Sequence, residues 1–189
     1  MDFKDIRIQK AFDWLERDAG SDFLMPEEYC QTRDVFQARL GSMIQVLEKE
    51  ELLKETYALL GAIAGEIGNN SFDHNMGSWR DVPGVYFSYD TKQRFIVLAD
   101  RGQGLLATLK RVAPELETEN QAIEMAFTKV ISGRAPERRG NGLKFVEGWV
   151  RKYGFKVYFY SNEGMYIVNQ GLHAGESRDV KGVLAIINF

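Results

Sequence analysis

The sequence predicts an α+β fold, and three observations carry that prediction. Apolar residues recur at helical spacing through the first 75 residues. After Asn75 the chain breaks into short β-branched and aromatic runs separated by Gly, Pro, Asp and Asn. One further amphipathic stretch, Leu143, Val146, Trp149, Val150 and Tyr153, lies between those runs. Helices first, then a mostly antiparallel sheet with helical insertions, is the α+β pattern.

Residues 3 to 18 place Phe3, Ile6, Ile8, Phe12 and Leu15 on one helical stripe, with Trp14 off it, and Gly20-Ser21-Asp22 breaks the run. Pro26 followed by Glu27 and Glu28 reads as a helix start that Val35, Ala38, Leu40, Met43, Ile44 and Leu47 carry towards Lys54. A third helix follows the charged stretch EKEELLKET and runs to Asn75. Strands are predicted at 85–89 and 94–99, joined by the turn Asp90-Thr91-Lys92 as a hairpin. Residues 105–112 and 119–131 read as helices parted by Pro114, and 132–141 as loop. The 143–153 helix stops at Gly154, and strands follow at 155–160, 164–169 and 183–188. Residues 1–55 form an N-terminal helical region for packing or dimerisation, and 56–189 a second unit; Phe12, Trp14 and Phe36 are placed in the core.

Composition narrows the function. With 189 residues, 44% hydrophobic and 27% charged, the chain has the usual globular mix. Net charge is −3 and no block of Lys or Arg occurs, which argues against nucleic acid as a partner. A single cysteine, Cys30, rules out a disulfide framework or a cysteine zinc site, and two histidines are too few for a histidine metal centre. No run of about 18 apolar residues spans a membrane and the N-terminus is charged, so a cytoplasmic protein is expected.

Three constellations could carry chemistry. Glu66, Asn70 and Asp73 stand at i, i+4 and i+7, within roughly 60° of one another on a helix. A glutamate can polarise a water or hydroxyl for attack, and an asparagine oxygen suits Mg2+; a solvated helix face with a frayed end explains the same letters. Asp100-Arg-Gly102-Gln-Gly104 follows an apolar strand, where a carboxylate can accept from an exocyclic amine and the glycines admit close backbone approach. An ordinary strand-to-helix turn has the same composition. Arg138-Arg-Gly140-Asn-Gly142-Leu143-Lys144 opens a helix whose free N–H groups could cradle phosphate, or is a solvated basic loop. No P-loop pattern occurs. Gly102-Gln-Gly-Leu-Leu-Ala107 spells a Rossmann-type dinucleotide fingerprint, but no parallel strand is predicted close behind it.

In order and spacing these motifs resemble the GHKL superfamily, the ATP-binding domain shared by gyrases, ninety-kilodalton heat-shock chaperones, histidine kinases and mismatch-repair ATPases. The similarity is strongest to bacterial histidine-kinase-like ATPases and anti-sigma-factor kinases and covers roughly residues 56–189. Glu66-Ile-Gly-Asn-Asn70-Ser-Phe-Asp73 resembles the N box, Asp100-Arg-Gly102-Gln-Gly104 the first glycine box and Gly140-Asn-Gly142-Leu143-Lys144 the second. Lys181-Gly182-Val183 looks like the final box, with Val where Thr is usual. The resemblance implies a Bergerat-type two-layer α/β sandwich with helices on one sheet face, and ATP and Mg2+ as ligands. It implies Glu66 as the catalytic base, Asn70 as the Mg2+ ligand, Asp100 on the adenine amine with Gly102 and Gly104 shaping the pocket, and Asp73 on the adenine side through water. Gly140, Gly142, Leu143 and Lys144 would follow the phosphates, and residues 105–139 would form a lid. It further implies a signalling ATPase or protein kinase acting with a protein partner such as a response regulator, a sigma factor or an anti-anti-sigma-like protein, with room for a homodimer. No histidine precedes His74, so a phosphoacceptor histidine upstream in this chain is not expected. A non-catalytic, ATP-switched interaction module is the competing expectation.

Overall fold

The computed structural model describes residues 3–20, 23–129, 142–168, 170–172 and 178–189. Its elements run α1 (Ile6–Glu16), β1 (Tyr29–Cys30), α2 (Arg33–Glu48), a 3-10 turn (Glu51–Leu53), α3 (Tyr57–Asn75), β2 (Val85–Asp90) and β3 (Phe95–Asp100). They continue with α4 (Leu105–Leu109), α5 (Glu119–Thr128), α6 (Gly142–Tyr153), β4 (Lys156–Ser161), β5 (Gly164–Ile167), β6 (Gly171–Leu172) and β7 (Val183–Asn188). The strands form one sheet in the order β1-β2-β3-β7-β4-β5-β6, and each neighbouring pair is antiparallel. The fold is α+β, as the alternation of helical and strand periods predicts.

The second helix starts later than Pro26 suggests. Met25 accepts from the amides of Glu28 and Tyr29, so residues 25–29 turn instead of starting a helix. Tyr29 and Cys30 then pair with Tyr86 and Val85 as an edge strand missing from the sequence prediction. Thr32 caps α2 by accepting from the Val35 amide. The proline signal lost because the residues after it found sheet partners for their backbone.

Strand alternation sorts the core into two faces. Ile96, Leu98, Ala185 and Ile187 meet Phe36, Leu60, Ile63, Phe127, Val146 and Val150 from α2, α3, α5 and α6. Val97, Ala99, Leu184 and Ile186 meet Ile8, Ala11, Phe12, Trp14 and Leu15 from α1. Four helices thus take one face, and the N-terminal helix closes the other. Trp14 is fully buried although it lies off the apolar stripe, because its indole Nε1 donates to Gly20 O where the chain folds back after α1.

The α2–α3 pair is packed through glycines. Phe36, Leu40 and Ile44 on α2 fill the places that a Cβ would take at Gly68, Gly65 and Gly61 on α3, so the two helices run antiparallel. Phe36 cannot retreat, being wedged between Phe72 and Phe87. Residues 105–129, expected as part of a mobile lid, are instead built into the body. Leu109, Ala113, Leu116, Ala122 and Ala126 make their own cluster, and Phe127 of α5 stacks on Tyr166 of the sheet at 5.2 Å. Among the described residues no helix is long and apolar enough to cross a membrane.

Two alanine substitutions separate packing from propensity. Gly68→Ala should lower stability by about 1–3 kcal/mol, because the new methyl would lie 2.6 Å from Phe36 Cε1. Gly41→Ala should raise it by up to about 1 kcal/mol, because nothing lies within 4 Å of that methyl and helix propensity improves. Urea unfolding of the two variants beside the wild type checks both signs.

Candidate functional site

The end of β3 carries a buried carboxylate. Asp100 is 2% exposed. Its Oδ2 accepts from Ser71 Oγ at 2.6 Å, and its Oδ1 accepts from Asn75 Nδ2 at 3.1 Å and from the Gly102 amide at 2.9 Å. Burial pushes the carboxyl up to about 6 from its ordinary value, although each of the three donors pulls it down. Oδ2 takes one bond in this arrangement and so has capacity to accept another donor.

The loop after Asp100 is held from three sides. Asn75 Oδ1 accepts from the Gln103 amide at 3.1 Å. Arg80 donates from Nε to Gly102 O at 3.0 Å and from Nη2 to Asn162 Oδ1 at 2.6 Å. Glu119, 3% exposed, accepts from Ser161 Oγ at 2.8 Å, from the Leu106 amide at 3.1 Å and from Asn162 Nδ2. Burial raises the Glu119 carboxyl above its usual range. Gly104 sits at φ +84° with its α-carbon facing Asn162 and Glu119, where a side chain would collide 2.8 Å from Glu119 Oε1. Gly182, at φ +130° just before β7, lies directly against the main-chain carbonyl of Asp100, so the Lys181-Gly182-Val183 box abuts the backbone of the Asp100 loop.

Arg101 is 1% exposed and points to the opposite side of the sheet. Its guanidinium donates to both Asp81 oxygens at 2.8 Å, to Trp14 O at 2.5 Å and to Arg17 O at 3.0 Å. Asp81, held low by these bonds against its partial burial, also accepts from the Gly20 amide. The residue next to Asp100 therefore fastens the end of α1 to the strand.

Of the predicted site residues, Glu66 and Asn70 come together with Gly142. A Cβ at Gly142 would be 2.6 Å from Glu66 Oε2 and 3.7 Å from Asn70 Nδ2, so the N-terminus of α6 lies directly on the polar flank of α3. Glu66 is exposed and Asn70 half-buried. Asp73 lies on the α2 side of that flank and forms an ion pair with Arg33. Asp100, Gly102 and Gly104 form the loop just described, and Gly102 rests on the Asn75 carboxamide. Leu143 is half-buried against the core and Lys144 is exposed on the first turn of α6. Gly140, with Arg138 and Arg139, lies outside the described residues.

Sequence reasoning missed Ser71, Asn75, Arg80, Arg101, Glu119, Ser161 and Asn162. For Ser71 and Asn75 a signal was present: they continue the sheet-facing stripe of Leu60, Ile63, Ala64 and Ile67, so two polar residues stand where apolar ones are due. The others come from separate elements and leave no local pattern. The dinucleotide reading of Gly102–Ala107 fails on geometry, because β3 lies between antiparallel β2 and β7 and no βαβ crossover surrounds it.

As a donor set for a cation, the flank offers the Asn70 carboxamide oxygen beside the Glu66 carboxylate, hard oxygens that fit Mg2+ completed by a polyanion and water. Among the described residues no group of three or more His, Cys, Asp or Glu could hold a metal by itself. No family model and no curated protein matches the chain.

Because folding raises the Asp100 carboxyl to about 6, the folded state binds this proton more tightly than the unfolded one. The group's contribution therefore becomes more favourable as pH falls through 6 towards 4, and holding the charge at neutral pH costs roughly 3 kcal/mol. Asp100→Asn removes that cost without changing shape, since the Ser71 hydroxyl can turn to accept. The stability difference, variant minus wild type, should be largest above pH 7 and shrink towards zero by pH 4, measured by urea unfolding across that range.

Proposed function

We propose that the chain binds Mg-ATP in the manner of histidine-kinase-like ATPases and works as a cytoplasmic signalling ATPase or kinase with a protein partner. One observation carries the reading: a carboxylate buried at a strand end, fixed by three donors and with acceptor capacity to spare on Oδ2, beside a polar helix flank capped by a helix N-terminus. A buried acceptor of that kind suits an exocyclic amine on a flat base, because an amine that fails to appear leaves a desolvated charge uncompensated. The distance along α3 from Ser71 to Glu66 is about 7.5 Å at 1.5 Å per residue, a span suited to a nucleotide with its base at Asp100 and its phosphates towards Gly142.

Each residue then has a task. Asp100 accepts the amine, and Ser71, Asn75 and the Gly102 amide keep its oxygens aimed. Gly142, Leu143 and Lys144 present the amides of the first α6 turn and one cation to phosphate. Asn70 would hold Mg2+, which would neutralise phosphate charge when bound. Glu66, exposed to solvent, would take the proton of a water or an acceptor hydroxyl as that oxygen bonds to the terminal phosphorus and the bond to ADP breaks, ADP leaving with the electron pair.

A non-catalytic reading, in which ATP only switches contacts with a partner, is favoured by Arg101, which ties the residue after Asp100 to α1 and offers a route from ligand to surface. Titration with a fluorescent ATP analogue and Mg2+ tests the binding site. Asp100→Asn and Asn70→Ala should each weaken binding at least tenfold, and unchanged affinity in both would refute the reading. Wild-type affinity should fall about fourfold between pH 7.5 and 5.5 as Asp100 takes up its proton, since only the carboxylate accepts the amine. Phosphate release that Glu66→Ala abolishes assigns catalysis to Glu66; equal release by both proteins leaves the switch.

A further inference from the structure

Helix α6 has a second face that the nucleotide reading does not use. Phe145, Trp149 and Tyr153 recur at i, i+4 and i+8 along one flank. Their rings form a continuous ladder, with centroids 6.0 Å apart between Phe145 and Trp149 and 5.7 Å between Trp149 and Tyr153, and Phe155 extends it at 5.9 Å. Phe145 is 36% and Tyr153 40% exposed, and Trp149 is only partly covered. Val146 and Val150, on the adjoining stripe, anchor the helix to the core, and the inner sides of Trp149 and Phe155 pack there too. The parts of Phe145, Trp149 and Tyr153 left in water gain nothing from folding, and aromatic clusters of this sort are the usual anchors of protein interfaces.

Charge gives the face a direction. The helix carries Lys144, Arg151 and Lys152 against one carboxylate, Glu147, and Glu147 is engaged by Arg151 at 2.8 Å. With Lys144 turned towards the proposed phosphate end of the helix, Lys152 stands beside the ladder as excess positive charge on a chain whose net charge is −3. The Lys152 ammonium lies 4.6 Å from the Trp149 ring centre and 5.5 Å from that of Tyr153, so cation and aromatic surface form one patch. Gly148 sits on the exposed side beside Trp149, and nothing lies within 4 Å of where its Cβ would be. A mid-helix glycine weakens a helix relative to alanine, and no neighbour among the described residues requires one there. A notch next to the ladder lets a second backbone approach closely.

We infer that this flank of α6 docks an acidic amphipathic helix of a partner protein, whose apolar side covers Phe145, Trp149 and Tyr153 and whose carboxylates meet Lys152. A helix laid along a ladder of anchors at i, i+4 and i+8 is a recurring mode of peptide recognition. The ladder lies apart from the residues proposed to hold nucleotide, so failure of docking would leave the ATP reading untouched.

The test uses the full chain without nucleotide and two fluorescein-labelled model helices of about 18 residues. Both present the same leucine and alanine face; one has glutamates and the other lysines on its polar face. Anisotropy titration should show saturable binding of the glutamate helix, at least tenfold tighter than the lysine helix. Lys152→Glu should abolish or invert that preference, and the position is exposed, so the variant should melt with the wild type. Trp149→Ala should weaken binding at least tenfold, and Gly148→Trp, which adds bulk in open space, should do so with the fold intact. Equal binding of the two helices, no binding of either, or a preference unmoved by charge reversal would overturn the inference. So would a dimer in sedimentation velocity that Trp149→Ala dissociates, because the face would then belong to a second copy of the chain.

Discussion

The structure depends on one buried carboxylate at the end of a central strand. Asp100 is held by two side chains of α3 and by its own loop, so strand, helix and loop cannot move independently. An ionised group without its donors would be intolerable at that depth, which makes Ser71 and Asn75 conditions for the fold as much as features of a site. The loop that follows inherits the constraint. Its amides and carbonyls are met in turn by Asn75, Arg80, Asn162, Ser161 and Glu119, drawn from α3, the segment before β2, the β4–β5 turn and α5. A loop satisfied on every side in this way is preorganised, and a ligand meeting it need not order it.

The same strand end has two opposed directions. Asp100 looks into the face covered by α3, and Arg101, the next residue, looks into the face covered by α1. Strand alternation alone produces that split, since consecutive side chains leave a sheet on opposite sides. Its consequence is that the N-terminal helix, which has no place in the resemblance to ATP-binding domains, is fastened within one residue of the proposed base-binding carboxylate. Removing the guanidinium would strand Asp81 and the carbonyls of Trp14 and Arg17, a loss of the kind that costs several kcal/mol in buried networks.

Much of the fold was legible because period is a local property. The β2–β3 hairpin, α6 and the last strand stood out from alternation or 3.6-residue spacing, and their bounds moved by only a residue or so. The start of α2 was misplaced because Pro26 is a local signal, whereas Tyr29 and Cys30 take their strand partners from residues far along the chain. Trp14 looked out of register because the indole is buried by a fold-back after the helix and not by the helix face itself. In the site, Glu66, Asn70 and Asp100 could be singled out since each is a polar residue breaking an apolar context. Glu119, Asn162 and Arg80 could not, because each lies in a segment where a polar residue is ordinary.

The sequence by itself determined the class of fold, most of its helices and strands, and the candidate residues of the proposed phosphate and base site. These follow from backbone periodicity and from the chemistry of side chains, which need no knowledge of neighbours. Tertiary structure alone decided which of those letters meet. It set Glu66 and Asn70 against Gly142, drew Asp73 into a pair with Arg33, buried Asp100 beneath α3 and left the aromatic flank of α6 partly exposed. Burial and juxtaposition across 25 or more residues depend on how helices settle on a twisted sheet, and no short window of sequence contains that information.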